Sequence, residues 1–94
     1  MDSSKFNIKE LRYIYEKNTP VYMRPALIEF IWKRNDISKK ERMQFLVDVI
    51  ENDRSLTAVE YAGRFFAVAA ELKIKPMAVG YFVDWWKNNK DKLQ

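Results

Sequence analysis

An all-α fold, a compact bundle of about five short helices in a single domain, is predicted by three features of the sequence. Capping signatures recur immediately ahead of apolar runs spaced at three and four residues. No stretch alternates apolar and polar residues with period two, as a half-buried strand requires. A chain of 94 residues with 48% apolar content is enough to close one hydrophobic core and too short for two.

The elements follow in chain order. Asn7 precedes Glu10 by three positions, and Phe6 and Leu11 flank the pair, which reads as a capping box with a hydrophobic staple. A first helix over residues 8–17 then buries Ile8, Leu11, Ile14 and Tyr15 on one face. Thr19-Pro20 marks a second start, but Pro25 deep inside a helix would remove a backbone hydrogen bond. The prediction is therefore a short turn over 20–24 and a helix over 25–34. That helix carries Ala26, Leu27, Ile28, Phe30, Ile31 and Trp32, apolar on nearly every side, and is expected at the centre of the bundle.

Ser38 and Glu41 form another box, opening a helix to about residue 51 with Met43, Leu46, Val49 and Ile50 inward and Phe45 beside them. Thr57 and Glu60, stapled by Leu56 and Tyr61, predict a helix to about residue 72. Lys75-Pro76 starts a last helix that frays after residue 88. Residues 1–5 and 90–94 are expected to be disordered. Gly63 and Gly80 both fall inside helical patterns, where glycine is costly, and are read as close helix contacts.

Composition removes most catalytic chemistry. The chain has neither cysteine nor histidine, so the usual nucleophile–base pairs, thiolate and imidazole metal ligands and redox switches are missing. A non-enzyme with no cofactor and no metal is expected. The acidic group Asp48, Glu51 and Asp53 reads as a solvated helix end, because it lacks the spacing of a calcium loop. The polar start, Met1 to Lys5, has no apolar stretch of the signal-peptide kind, and no segment reaches membrane-spanning length. A cytoplasmic protein with no membrane partner is the expectation.

The formal charge of +4 is uneven: residues 1–47 hold ten Lys/Arg against six Asp/Glu, and residues 48–94 hold seven of each. Lys33, Arg34, Lys39, Lys40 and Arg42 cluster with only Asp36 and Glu41 between them. A solvated face accounts for such a run, and so does a surface for an acidic partner. Lys39 and Lys40 also occupy the first turn of a helix, where the macrodipole disfavours cations.

Residues 65–84 resemble a helix-turn-helix unit in spacing. Ala69 stands at the small-residue position, Leu72 and Ile74 bracket the turn, Lys73 replaces the usual turn glycine, and Val79, Phe82 and Val83 anchor the second helix. The resemblance implies that the helix from Pro76 enters the major groove of duplex DNA, with Lys73, Lys75, Met77, Tyr81 and Lys87 as its contacts. The set is poor in the Arg, Asn and Gln side chains that read bases, and Asp84 would face phosphates.

A helical wheel gives the same helix another use. Val79, Phe82, Val83 and Trp86 form a core face, while Met77, Tyr81 and Trp85 form a second stripe at four-residue spacing. Met, Tyr and Trp are the side chains of protein-binding hot spots. The rhythm of Val59 to Val83 is also similar to that of the late-transcription coactivators of T-even-like bacteriophages, which implies RNA polymerase as partner and no particular residue roles. The expected function is that of a regulatory or adaptor protein of the transcription or replication machinery. It docks on another protein through Met77, Tyr81 and Trp85 with help from Lys33, Arg34, Lys39, Lys40 and Arg42. Duplex-DNA binding is the alternative, and a homodimer burying the same stripe is a third possibility.

Overall fold

The computed structural model describes residues 6–93, in which five α-helices pack together and no strand occurs among the described residues. The expectation of disorder at 1–5 lies outside the described residues, as does that at residue 94.

Helix α1 (Ile8–Asn18) begins where the capping box predicts it. The Asn7 side chain accepts from the Glu10 N–H at 2.9 Å, and the Glu10 carboxylate accepts from the Asn7 N–H at 3.1 Å. Two of the four N–H groups orphaned at a helix start are thereby satisfied. Thr19 closes the helix rather than opening the next one, its hydroxyl donating back to the Ile14 carbonyl at 2.8 Å. The expected turn is a 3₁₀ turn, Val21–Met23, and helix α2 (Arg24–Trp32) holds Pro25 in its first turn, where the missing N–H costs nothing.

Helix α3 (Lys39–Asn52) is capped by Ser38, whose hydroxyl accepts from the Glu41 N–H at 3.1 Å and donates to the Glu41 carboxylate. With 14 residues it packs against each of the other four helices and buries Met43, Phe45, Leu46, Val47, Val49 and Ile50. The central element is therefore α3, not α2. On α2 only Ile28 and Ile31 are fully buried, while Leu27, Phe30 and Trp32 lie half-covered at the edge and Ala26 is exposed.

Helix α4 (Leu56–Ala69) starts two residues before the predicted box. Asp53 accepts the Ser55 N–H at 2.7 Å and turns the chain so that Ser55, not Thr57, caps Ala58. The Leu56–Tyr61 staple does not form, and both side chains are exposed. The helix stops at Ala69, short of residue 72, in a Schellman motif: Leu72 N–H bonds the Ala67 carbonyl at 2.8 Å, Glu71 N–H bonds the Val68 carbonyl at 3.2 Å, and Glu71 sits at φ 57°.

Pro76 then occupies the second position of a turn closed by Ala78 N–H on the Lys75 carbonyl at 3.1 Å, so the last helix, α5 (Val79–Asn89), begins three residues later than Pro76. Residues 90–92, expected to be disordered, form a 3₁₀ turn that brings Leu93 against the core. The two C-terminal helices pack through an aromatic knot: Phe66 of α4 meets Phe82, Trp85 and Trp86 of α5 at centroid distances of 5.4, 5.6 and 6.0 Å, each near edge-to-face. Such geometry adds about 0.5–1.5 kcal/mol per pair beyond area burial.

Candidate docking surfaces

The predicted stripe on the last helix divides. Phe82 and Trp86 are buried as expected, and the Trp86 indole N–H donates to the Gln44 side chain of α3 at 2.7 Å. Tyr81 is 51% exposed on α5, and Met77 is 46% exposed in the turn before it. Trp85 is half-buried, its ring edge-on to Phe66, so it forms the wall of the patch rather than its summit. The glycine reading also divides. A Cβ on Gly63 would lie 2.1 Å from the Pro76 carbonyl oxygen, a close approach that fixes the connection carrying Met77 against α4. A Cβ on Gly80 meets nothing within 4 Å, so Gly80 makes no close contact.

The basic cluster divides, its two arginines bonding the backbone and its three lysines lying at the surface. Arg34 donates to the Phe6 carbonyl at 3.0 Å and pairs with Asp36, a bond that holds the Asp36 carboxyl below the usual carboxylate range. Arg42 lies over the Trp32 ring at 4.9 Å and donates to the Trp32 and Ile37 carbonyls at 2.7 and 3.0 Å. These two guanidiniums tie down the connection between α2 and α3: Arg42 satisfies the Trp32 carbonyl left over at the end of α2 and the Ile37 carbonyl before α3, and Arg34 holds the Phe6 carbonyl ahead of α1. Lys33 pairs with Glu29 one turn back at 2.7 Å. Lys39 and Lys40 form no ion pair among the described residues.

Residues 53–55 join α3 to α4 in a tight, extensively packed and therefore antiparallel hairpin. The start of α3, with Lys39 and Lys40, consequently shares one end of the bundle with the 70–78 connection, which carries Lys73, Lys75 and Met77. Lys73 and Lys75 are exposed and likewise meet no carboxylate among the described residues. That nine-residue connection is longer than the three or four residues of a DNA-binding helix-turn-helix, and it places Lys73, Lys75 and Met77 ahead of the helix rather than on it. Its left-handed residue is Glu71, two positions before the Lys73 expected at the turn-glycine position. Tyr81 and Lys87 are on α5, about 120° apart around its axis at 100° per residue.

Two features escaped the sequence reading. Val21, Tyr22 and Met23 are all exposed, Tyr22 at 82%, as a three-residue apolar knob. Three apolar residues confined between Pro20 and Pro25 were its signal, since a run that cannot join a helix face has no core to enter.

Beside the knob lies a cleft of about 450 Å³ between α1, the 3₁₀ turn and the end of α3. Asp53, with its side chain 3% exposed, accepts from the Tyr15 hydroxyl at 2.5 Å and from Arg24 at 2.8 Å in its wall. Burial first, and the bond to Asp53 second, push the Tyr15 hydroxyl far above its ordinary range. Asp48 pairs with Arg12 and accepts from Gln44 at 2.9 Å, while Glu51 is exposed. The acidic group is thus divided between two arginines and solvent.

The fold and its exposed surfaces define a small all-α bundle with apolar side chains left outside the core. No protein-family model, curated protein or solved structure matches the chain. Among the described residues no helix is long and apolar enough to cross a membrane.

Proposed function

We propose that the protein is a non-enzymatic regulatory or adaptor protein that docks on a partner protein through Tyr81 and Met77, with Trp85 as the half-buried wall of the patch. The supporting observation is that Met77 is held exposed on a connection that Gly63 and Pro76 fix in place, with Tyr81 exposed in the first turn of α5 that follows. A rigid aromatic group gains much buried area at small entropic cost, and the flexible, polarisable methionine thioether adapts to an irregular partner surface. Lys39, Lys40, Lys73 and Lys75, at the same end of the bundle and without an ion pair among the described residues, steer an acidic partner during encounter. The similarity of Val59 to Val83 to late-transcription coactivators makes RNA polymerase the first partner to test.

The decisive variant is Met77→Ser/Tyr81→Ser, which leaves Trp85 on Phe66 and so avoids the core. Tagged wild-type chain captured from its host is expected to retain a protein partner. The double variant should lose it, with affinity for the purified partner reduced roughly 30-fold, the ~2 kcal/mol of a hot-spot truncation. An unchanged melting temperature with undiminished capture defeats the proposal. Recovery of duplex DNA, with retention falling steeply as salt rises, supports the nucleic-acid reading through Lys73, Lys75 and Lys87 instead.

A further inference from the structure

We infer that the cleft between α1, the Val21–Met23 turn and the end of α3 is a binding site for an organic anion, a carboxylate carried on a small apolar body. The inference is independent of the docking patch on α5. A volume of about 450 Å³ lies in the range of small-molecule pockets, and Val21, Phe45 and Val49 supply apolar lining.

The polar groups favour an anion over a cation. Both oxygens of Asp48 already accept, one from Arg12 and one from Gln44, and both oxygens of Asp53 accept from Tyr15, Arg24 and the Ser55 N–H. The donors are in excess. A guanidinium has five N–H groups, and among the described residues Arg12 and Arg24 each donate through Nη1 alone. The Arg24 Nε is buried with no acceptor among the described residues and is out of a ligand's reach, which leaves the other guanidinium N–H groups to meet one. Arg54 lines the cleft, exposed, and meets no carboxylate among the described residues.

The donors are also held in place before any ligand arrives. Arg12 lies over the Phe45 ring at 5.9 Å and Arg24 over the Tyr15 ring at 5.4 Å, and the two rings meet edge-on at 5.3 Å. Fixing these long side chains in advance lowers the entropic cost of binding. The lining carries three arginines, Arg12, Arg24 and Arg54, against three carboxylates, Glu16, Asp48 and Asp53, so the free N–H donors and not a net charge favour a single carboxylate. Glu16, exposed at the rim, disfavours a second. A monocarboxylate therefore fits better than a phosphate dianion.

The carboxylate has two sources, a free organic acid or an acidic residue beside an apolar one in a partner peptide. Binding of 3-phenylpropionate, its neutral amide and acetyl-Phe-Glu-amide to the full chain, followed by calorimetry and by the arginine side-chain N–H resonances, separates them. The acid or the peptide should bind with shifts confined to Arg12, Arg24 and Arg54, at least about tenfold tighter than the amide, as a charge-assisted bond requires. Arg54→Gln should weaken binding and Glu16→Gln should tighten it; both side chains are exposed, so the helical signal should not change. Tighter binding of the peptide than of the acid assigns the carboxylate to a partner chain. Equal binding of acid and amide, indifference to Arg54→Gln, or no binding of either carboxylate at millimolar concentration overturns the inference.

Discussion

Two glycines illustrate how differently the same residue acts at two positions of helical backbone. Gly63 faces the Pro76 carbonyl so closely that an added methyl would sit 2.1 Å from its oxygen, 2.9 Å from its carbon and 3.1 Å from its Cα. All three are backbone atoms, which cannot swing aside as a side-chain tip can. Gly63→Ala is expected to destabilise the protein by about 1–3 kcal/mol, the range for overpacked sites. Because the displaced connection carries Met77, the same change should weaken docking. Gly80 is exposed in the first turn of α5 with open space around it, so Gly80→Ala should be neutral to stabilising by up to about 1 kcal/mol. Urea titrations should show a clear loss for Gly63→Ala and none for Gly80→Ala. A loss at Gly80 equal to that at Gly63 would show that helix propensity and contact have been misassigned.

Helix boundaries were legible where the determining contacts are local. The Asn7–Glu10 box and the Ser38 cap bond across three residues, so sequence spacing alone reveals them. The start of α4 was not legible, because Asp53, itself fixed by Arg24 and Tyr15 from distant parts of the chain, selects Ser55 over Thr57. The candidate site divides in the same manner. Periodicity identified Tyr81 as outward-facing, but whether Arg34 and Arg42 reach solvent or the carbonyls of Phe6, Trp32 and Ile37 is decided by tertiary packing. The end of α4 carried no usual signal either, since its left-handed Schellman position holds Glu71 where glycine is preferred. That conformation costs a residue with a Cβ about 1–2 kcal/mol. Part of it is offset by the greater chain entropy of unfolded glycine, so Glu71→Gly should stabilise the protein by about 0.5–1 kcal/mol. A rise in the urea midpoint with unchanged slope is the expected readout, and a fall would mean that the Glu71 side chain contributes more than its backbone strain removes.

At the scale of the whole molecule one carboxylate joins four helices. Asp53 follows α3, accepts from Tyr15 of α1 and Arg24 of α2, and orients Ser55, the cap of α4. Its side chain is almost fully covered, and a covered carboxylate is tolerated only when donors replace the water it has lost. Tyr15 supplies one of them, and burial makes the neutral hydroxyl the strongly favoured form in the folded state. In the unfolded chain the same hydroxyl titrates near its ordinary value of about 10. With the folded value raised above the unfolded one, this contribution to stability is complete below about pH 10. It declines above that pH because the unfolded chain releases its proton first. Tyr15→Phe removes both the hydrogen bond and the dependence. The variant should be less stable by about 1.5–3 kcal/mol near neutrality, as for a bond to a charged group. The difference between wild type and variant should then narrow by roughly 1 kcal/mol between pH 10 and 11, approaching the limit of about 1.4 kcal/mol per pH unit for one titrating group. Lysine titration and the remaining ion pairs affect both proteins alike and cancel in the difference. Paired denaturant titrations across that interval are the measurement, and a gap that stays constant with pH would show that the Tyr15 hydroxyl ionises as readily in the folded chain as in the unfolded one.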